Sequence, residues 1–440
     1  MKKATLFVLF LAALLMILPV SAESAVLGSK PVKIVFWHCK SDNAGKLLER
    51  YVKEFNESNP WQITVEPIYQ GQYSDASTLL KVILSAENYS ELPDVIELDA
   101  TGKVAYFQSG KAFSLDDAEA LYDEKISGSF LESVLRNWHY NGVQLGIPFD
   151  GSTMITYYNR DLLSQAGWET LPETFDDLIR LSGDMKAAGL TARTYGEIPN
   201  TPYLANWLGQ LGSSVVNNAN GNEAPATQLD CIENGALEKF LSAWQTLYHA
   251  GALVNESFSP NDFIAGEVAV YINSSSMISS IKSKVNGAFE VAAGPFLRVS
   301  ADVPFASSPA GSCVCLFDSG DELRKAASWE FLKFLGGEAF QTAFAAETGK
   351  FPANKASLES ETWRELVASE PMYGVGPDTL AHVPDSFRSV TVGPSVDFYL
   401  GIMNGVSEML NKGVSPEEGA ESIGKNLQSL LDNWTRMNPD

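Results

Sequence analysis

The chain has only four histidines and four cysteines among 440 residues, and their placement argues against an ordinary active site. His38, His139, His249 and His382 are scattered, so a triad or metal cluster would have to be assembled by the fold alone. Cys39, Cys231, Cys313 and Cys315 show no zinc-site spacing and are too few for a disulfide scaffold. Cys313 and Cys315 alternate in an apolar strand-like run and are read as pointing to opposite faces, hence as not paired with each other. A single bridge such as Cys39–Cys231 stays open beside buried free thiols. The chain has no Gly-x-Ser-x-Gly elbow, no His-Glu-x-x-His, no phosphate-cradling Gly-x-x-x-x-Gly-Lys-Ser/Thr and no Gly-x-Gly-x-x-Gly. Paired carboxylates acting on a glycosidic bond leave no local signature, so a secreted glycan-active enzyme is kept as the alternative reading. The expectation is no catalytic residue, no metal and no cofactor.

Any binding residues must be positioned by regular elements, and these alternate at the start. Lys33-Ile-Val-Phe-Trp37 reads as a strand, and Leu47, Leu48, Tyr51, Val52 and Phe55 recur at helical spacing before Asn59-Pro60 ends the helix. A strand over 62–68, a helix over 75–86 and a strand over 94–98 complete a β-α-β-α-β pattern, which predicts a doubly wound α/β lobe. Ligands of such lobes sit at the carboxyl ends of the strands, which makes Trp37, His38, Tyr73 and Asp99 candidates for solute contact.

Asn141-Gly142 is a hairpin turn leading into Pro148-Phe-Asp-Gly-Ser-Thr-Met-Ile-Thr-Tyr-Tyr158, a strand followed by a helix capped by Asn159 and closed by Gly167. Helices are predicted over 170–189, 201–212 and 233–251, with a surface loop or turn over 217–228. Strands follow over 266–272, 288–293 and 311–317. Helices come last, over 322–335, 338–347, 361–368, 396–411 and 416–437.

Lys2, Lys3, an apolar run to Leu18 and the small residues before Ala22 form a secretory signal peptide, with cleavage expected near Ala22. The first cysteine, Cys39, lies far beyond that point, so no lipid-attachment cysteine is expected and the protein reads as periplasmic. The mature chain is too long for one core, which predicts two lobes. Removing two lysines takes the formal charge of −23 to −25, which disfavours nucleic acid as a partner.

Several landmarks, in order, resemble the extracellular solute-binding proteins of ABC importers, the family that includes maltose-binding and glycerol-3-phosphate-binding proteins. They are Ile34-Val-Phe-Trp-His38, Phe55-Asn-Glu-Ser-Asn-Pro60, Pro148-Phe with Tyr157-Tyr-Asn-Arg-Asp161, and Thr174-Phe-Asp-Asp-Leu178. Gly266-Glu-Val-Ala-Val270, Trp329-Glu-Phe-Leu-Lys-Phe-Leu335 and Thr348-Gly-Lys-Phe-Pro352 follow. The resemblance spans nearly the whole mature chain. It implies an α/β, two-lobe periplasmic-binding-protein fold of type II with a hinge. Lobe I would take residues 23–150 and 312–352, and lobe II residues 151–311 and 353–440. It also implies a monomer that captures a sugar, polyol or phosphoglycerol and delivers it to a membrane permease.

Carried over position by position from the glycerol-3-phosphate-binding member, the resemblance implies ligand contacts at Tyr73, Ser152, Ser274 or Ser275, Gly311 and Arg388. A guanidinium at Arg388 would suit phosphate, carboxylate or sugar hydroxyls. The chain departs from that member where its glutamate becomes Asp99 or Ala100 and where the tyrosine after Thr-Gly becomes Lys350. Two tryptophans have no clear counterpart over 198–201, and Tyr203 or Trp207 is the expected aromatic platform in their place.

Overall fold

A computed structural model describes residues 27–100, 102–384 and 387–438. The expected signal peptide and its cleavage point lie outside the described residues. No described helix is long and apolar enough to cross a membrane.

The first lobe is built as the alternating pattern predicts. Strands β1 (Val32–His38), β2 (Ile63–Tyr69) and β3 (Val95–Leu98) run parallel, β1 lying between the other two. Helices α1 (Asp42–Ser58), α2 (Tyr73–Ser85) and α3 (Lys103–Gln108) connect or follow them. Strand period two sends Ile34, Phe36 and Val95 to one face, where Leu48, Val52, Phe331 and Phe344 cover them. Trp37, Ile96 and Leu98 go to the other, under Leu80, Ile83 and Tyr106.

One long strand, β4 (Gly146–Asn159), carries the chain from this lobe into the next. Its first half pairs with the returning strand, and its second half pairs with β5 (Val270–Ser274) and β6 (Val291–Pro295). The returning strand, β7 (Pro309–Phe317), is antiparallel to both β4 and β3, so the two crossing strands tie the lobes through one mixed sheet. The second lobe is mainly helical. Trp207 of α4 (Thr201–Gln210) and Phe240 and Trp244 of α5 (Ala236–His249) form its aromatic centre with Phe296. After α6 (Glu322–Gly336) and α7 (Glu338–Thr348) on the first lobe, α8 (Ser395–Lys412) and α9 (Pro416–Met437) close the second core with Phe398, Ile402 and Leu427.

Three expectations need correction. The stretch 353–440 does not pack as one unit, because Trp363, Leu380, Val383 and Phe387 share the first core while Val392 and Phe398 share the second. The third crossing implied by the lobe bounds therefore falls over 387–392 rather than at 352–353, a point that amphipathic helices do not mark in sequence. The 217–228 segment is the expected turn, but it is not all at the surface. Asn218, Ala219 and Asn220 take a left-handed turn, and Asn220 and Asn222 are buried against the third crossing, where their amides donate to the Arg388 and Ser389 carbonyls at 3.0 and 2.7 Å. Finally, Cys313 and Cys315 are on one face, as residues two apart on a strand must be, with their sulfurs 3.5 Å apart. Cys39 follows β1 of the first lobe while Cys231 is in the core of the other lobe, so the fold does not bring these two together.

Candidate functional site

Where the crossing strands leave the first lobe, a group of charged side chains is buried. Lys40, just past β1, is nearly inaccessible and its ammonium reaches Glu97 Oε1 at 2.7 Å, Asp150 Oδ2 at 2.5 Å and Ser312 Oγ at 3.1 Å. Lys350 donates to the same Asp150 oxygen at 2.6 Å. The Tyr73 hydroxyl donates to Glu97 Oε1 at 2.6 Å and accepts from Lys40 at 3.3 Å. Backbone groups complete the set, Cys39 N–H donating to Glu97 Oε2 and Ser312 N–H to Asp150 Oδ1. Two carboxylates and two ammonium groups thus balance in charge.

The electrostatics follow from that balance. Burial alone would raise the Asp150 and Glu97 carboxyls, but Lys350 and Lys40 beside Asp150, and Lys40 beside Glu97, hold both below the usual carboxylate range. Burial would lower Lys40, yet Asp150 and Glu97 raise it well above an ordinary lysine. Lys350 is lowered by burial in spite of Asp150, and burial raises the Tyr73 phenol. Ionised acids already bonded to lysines have no proton to donate, so Glu97 and Asp150 are not set up as the acid and base of a glycosidase.

The elements explain the placement. The capped start of α2 sets Tyr73 beside the end of β3, and the Asp150–Gly151 step of β4 lies against Ser312 and Gly311 of β7. Gly311 has φ +116, and a Cβ there would sit 2.3 Å from the Asp150 carbonyl oxygen, so only glycine allows the crossing strands to bend together.

Of the residues singled out from sequence, Tyr73, Lys350 and Gly311 meet at this cluster. Ser152 is buried one residue beyond Gly151, opposite Ala310. Ser275 accepts a hydrogen bond from Thr153 N–H at 3.2 Å, and the Ser274 hydroxyl meets that of Ser276. Arg388 lies on the third crossing, its Nη1 3.4 Å from the Arg136 carbonyl. Asp99 follows β3, its carbonyl accepting from Gly102 N–H.

The remaining candidates are packing residues. Trp37 belongs to the core under α2, and His38 is buried between the Phe36 and Tyr69 rings, its pKa lowered by burial. Trp207 has no exposed surface, donates its indole N–H to the Leu297 carbonyl and stacks on Phe240, so it offers no platform to a solute. Sequence spacing cannot tell such a tryptophan from an exposed one, because both occupy the same helical periodicity.

Lys40, Glu97, Asp150 and Glu197 were missed. For Glu97 and Asp150 the signal was present, a lone acid inside an otherwise apolar strand. Glu197 follows the short strand Tyr195–Gly196 in the second lobe, accepts from Ser257 Oγ at 2.6 Å and Ile198 N–H at 2.9 Å, and is raised by burial. Around it stand Tyr203 and Tyr271, the latter bonded to the Asn273 amide, and beyond Tyr203 the partly exposed Tyr399 is bonded to Asn200. A separate cavity of about 510 Å³, lined by Lys81, Ala100, Val104, Thr391 and Trp434, touches none of the charged cluster. The convergence of buried polar groups at the crossing strands, rather than that open groove, locates the candidate site.

Residues 50–371 match the family described as bacterial extracellular solute-binding protein. The chain belongs to that family. Its members deliver solutes to the permease of an ABC importer and are not enzymes, so this is a solute-binding protein, and the glycan-active reading falls. Among relatives, the sn-glycerol-3-phosphate-binding periplasmic protein UgpB of Yersinia pseudotuberculosis is 22% identical over 417 residues, 91% of this chain and 90% of that protein. The solved sugar-binding protein MalE of Xanthomonas citri superposes with a TM-score of 0.76 at 17% identity, over 92% of this chain and 99% of that one. UgpB of Mycobacterium tuberculosis, solved with glycerophosphocholine, gives 0.73 at 20% identity over 92% and 100%. These likenesses establish the two-lobe type II fold.

Proposed function

We propose that the protein captures a hydroxyl-rich solute, a carbohydrate or a glycerol-phosphate-like molecule, in the cleft between its lobes. The observation that carries this reading is the buried Lys40–Glu97–Asp150–Lys350 cluster at the hinge, capped by Tyr73. It fixes polar side chains where the lobes meet, and its own charges are already balanced. Tyr73 and Lys350 would face the solute from one lobe, Ser152 from the crossing strand β4, and Glu197, Asn273, Ser275 and Tyr399 from the other. A carboxyl beside tyrosines and amides suits sugar hydroxyls. Lys350 and Arg388 favour the second reading, in which one end of the solute is a phosphate.

The protein is exported to the periplasm by its leader, cut near Ala22. It acts as a monomer, and its strong negative charge keeps it from nucleic acid. The lobe boundaries are drawn at the crossings near 150, 311 and 387–392. Thermal-shift screening of sugars, polyols and phosphoglycerols tests the reading, because a ligand of the native state raises the melting temperature. A panel in which no compound shifts the protein would contradict it.

A further inference from the structure

Strand β7 carries two thiols at the point where it enters the hinge. Cys313 and Cys315 are 0% and 2% exposed, and their sulfurs face each other at 3.5 Å, the van der Waals contact of two unbonded sulfurs. The space around them is specific. Across the sheet Cys315 pairs with Gly146, where a Cβ would lie 2.9 Å from both sulfurs and 2.2 Å from the Val314 carbonyl oxygen. Only glycine there leaves the two thiols in contact. Cys231 is in the core of the other lobe, out of competition.

We infer that Cys313 and Cys315 are joined by a disulfide when the chain folds outside the cytoplasm. Two residues along a strand span about 6.6 Å between Cα atoms, near the upper end of what a disulfide bridges. The bulge beside them falls on Phe149 of β4, and Cys313–Cys315 pair in unbroken register with β3 and β4, so closing the sulfurs from 3.5 Å to about 2.05 Å takes a local bend of β7 at Val314. Extracellular family membership puts the chain in an oxidising compartment. The reaction is an exchange. One cysteine thiolate attacks an exported oxidant's disulfide, the second displaces it, and the two thiols lose two electrons and two protons while the oxidant becomes a dithiol. Because the sulfurs are buried in the finished fold, the exchange precedes burial. The bond would stiffen β7 one residue past Ser312, whose hydroxyl and N–H contact Lys40 and Asp150.

The test uses the full chain exported by its own leader and purified without reductant. It is unfolded in an alkylating agent, before or after reduction, and weighed intact. Of the four cysteines, two should label before reduction and all four after it, with the protected pair mapping to one peptide over 309–317. Cys315→Ser should label at all three remaining thiols without reduction, and Cys39→Ser should keep the protected pair. Four labels on the unreduced wild type, or protection that maps to Cys39 and Cys231, would overturn the assignment. The readout is made on unfolded chains, so it does not depend on any variant folding or on the identity of the solute.

Discussion

Two lysines, each close to fully buried, sit on opposite faces of the sheet and behave oppositely. Lys40 is held by Glu97 and Asp150 and is raised well above an ordinary lysine. Lys103, at the start of α3, donates to two neutral acceptors, the Asn137 carbonyl at 3.1 Å and the Asn222 amide oxygen of the other lobe at 2.5 Å. Burial, with Arg388 nearby, lowers it to about 7. Burial alone therefore does not decide the charge state; the neighbouring acid does. The Lys40 side is a fixed, charged frame, and the Lys103 side is an interlobe contact whose charge titrates near neutrality.

The largest expected effect comes from breaking the charged frame. Asp150→Ala leaves two buried lysines short of their shared counter-ion and should cost about 3–5 kcal/mol in urea unfolding. The depressed carboxyls of Asp150 and Glu97 also stabilise the fold fully above about pH 4, the unfolded carboxyl range, and that contribution should drain away as pH falls through their lowered values. An Asp150→Ala protein as stable as the wild type would remove the distinction between the two faces.

Trp207→Ala should cost a similar 3–5 kcal/mol, through a cavity rather than a stranded charge. Trp207→Phe, measured at a temperature where it is folded, should bind solute as the wild type does. A specific loss of binding in Trp207→Phe would return that residue to the site.

Lys103 gives a smaller effect with a definite sign. Above pH 7 the folded chain sheds this proton, while the unfolded lysine keeps it until about 10.5, so the unfolded state binds more protons and stability rises with pH. The slope between pH 7 and 9 should lose up to about 1.4 kcal/mol per pH unit in Lys103→Met. Equal slopes in both proteins would mean that Lys103 stays charged in the fold. Smaller still is the effect of Arg388→Ala on stability, whose melting temperature should hardly move while solute affinity falls; unchanged affinity would free Arg388 from the site.

Much of this was legible in the residues. The β-α-β-α-β opening, the long crossing strand and the terminal helices were readable because strand and helix periods differ. Lys350 and Gly311 were reached through family resemblance, and Tyr73 also through its place in the loop after a strand of the first lobe. Lys40, Glu97 and Asp150 were overlooked because they are far apart in sequence and become one cluster only when β1, β3 and β4 are laid side by side. Trp207 is buried for the converse reason, since the large ring that suits a sugar also suits a core. The Cys313–Cys315 geometry needed only the two-residue period of a strand, applied correctly.

The central claim, that solute is held at the hinge cluster, is tested most directly by thermal-shift titration of the wild type beside a Tyr73→Phe, Lys350→Met double variant. The compounds are sugars, polyols and phosphoglycerols. The account predicts that at least one of them raises the wild-type melting temperature in a saturable way and that the double variant needs a much higher concentration for the same shift. Identical titrations for the two proteins would contradict it.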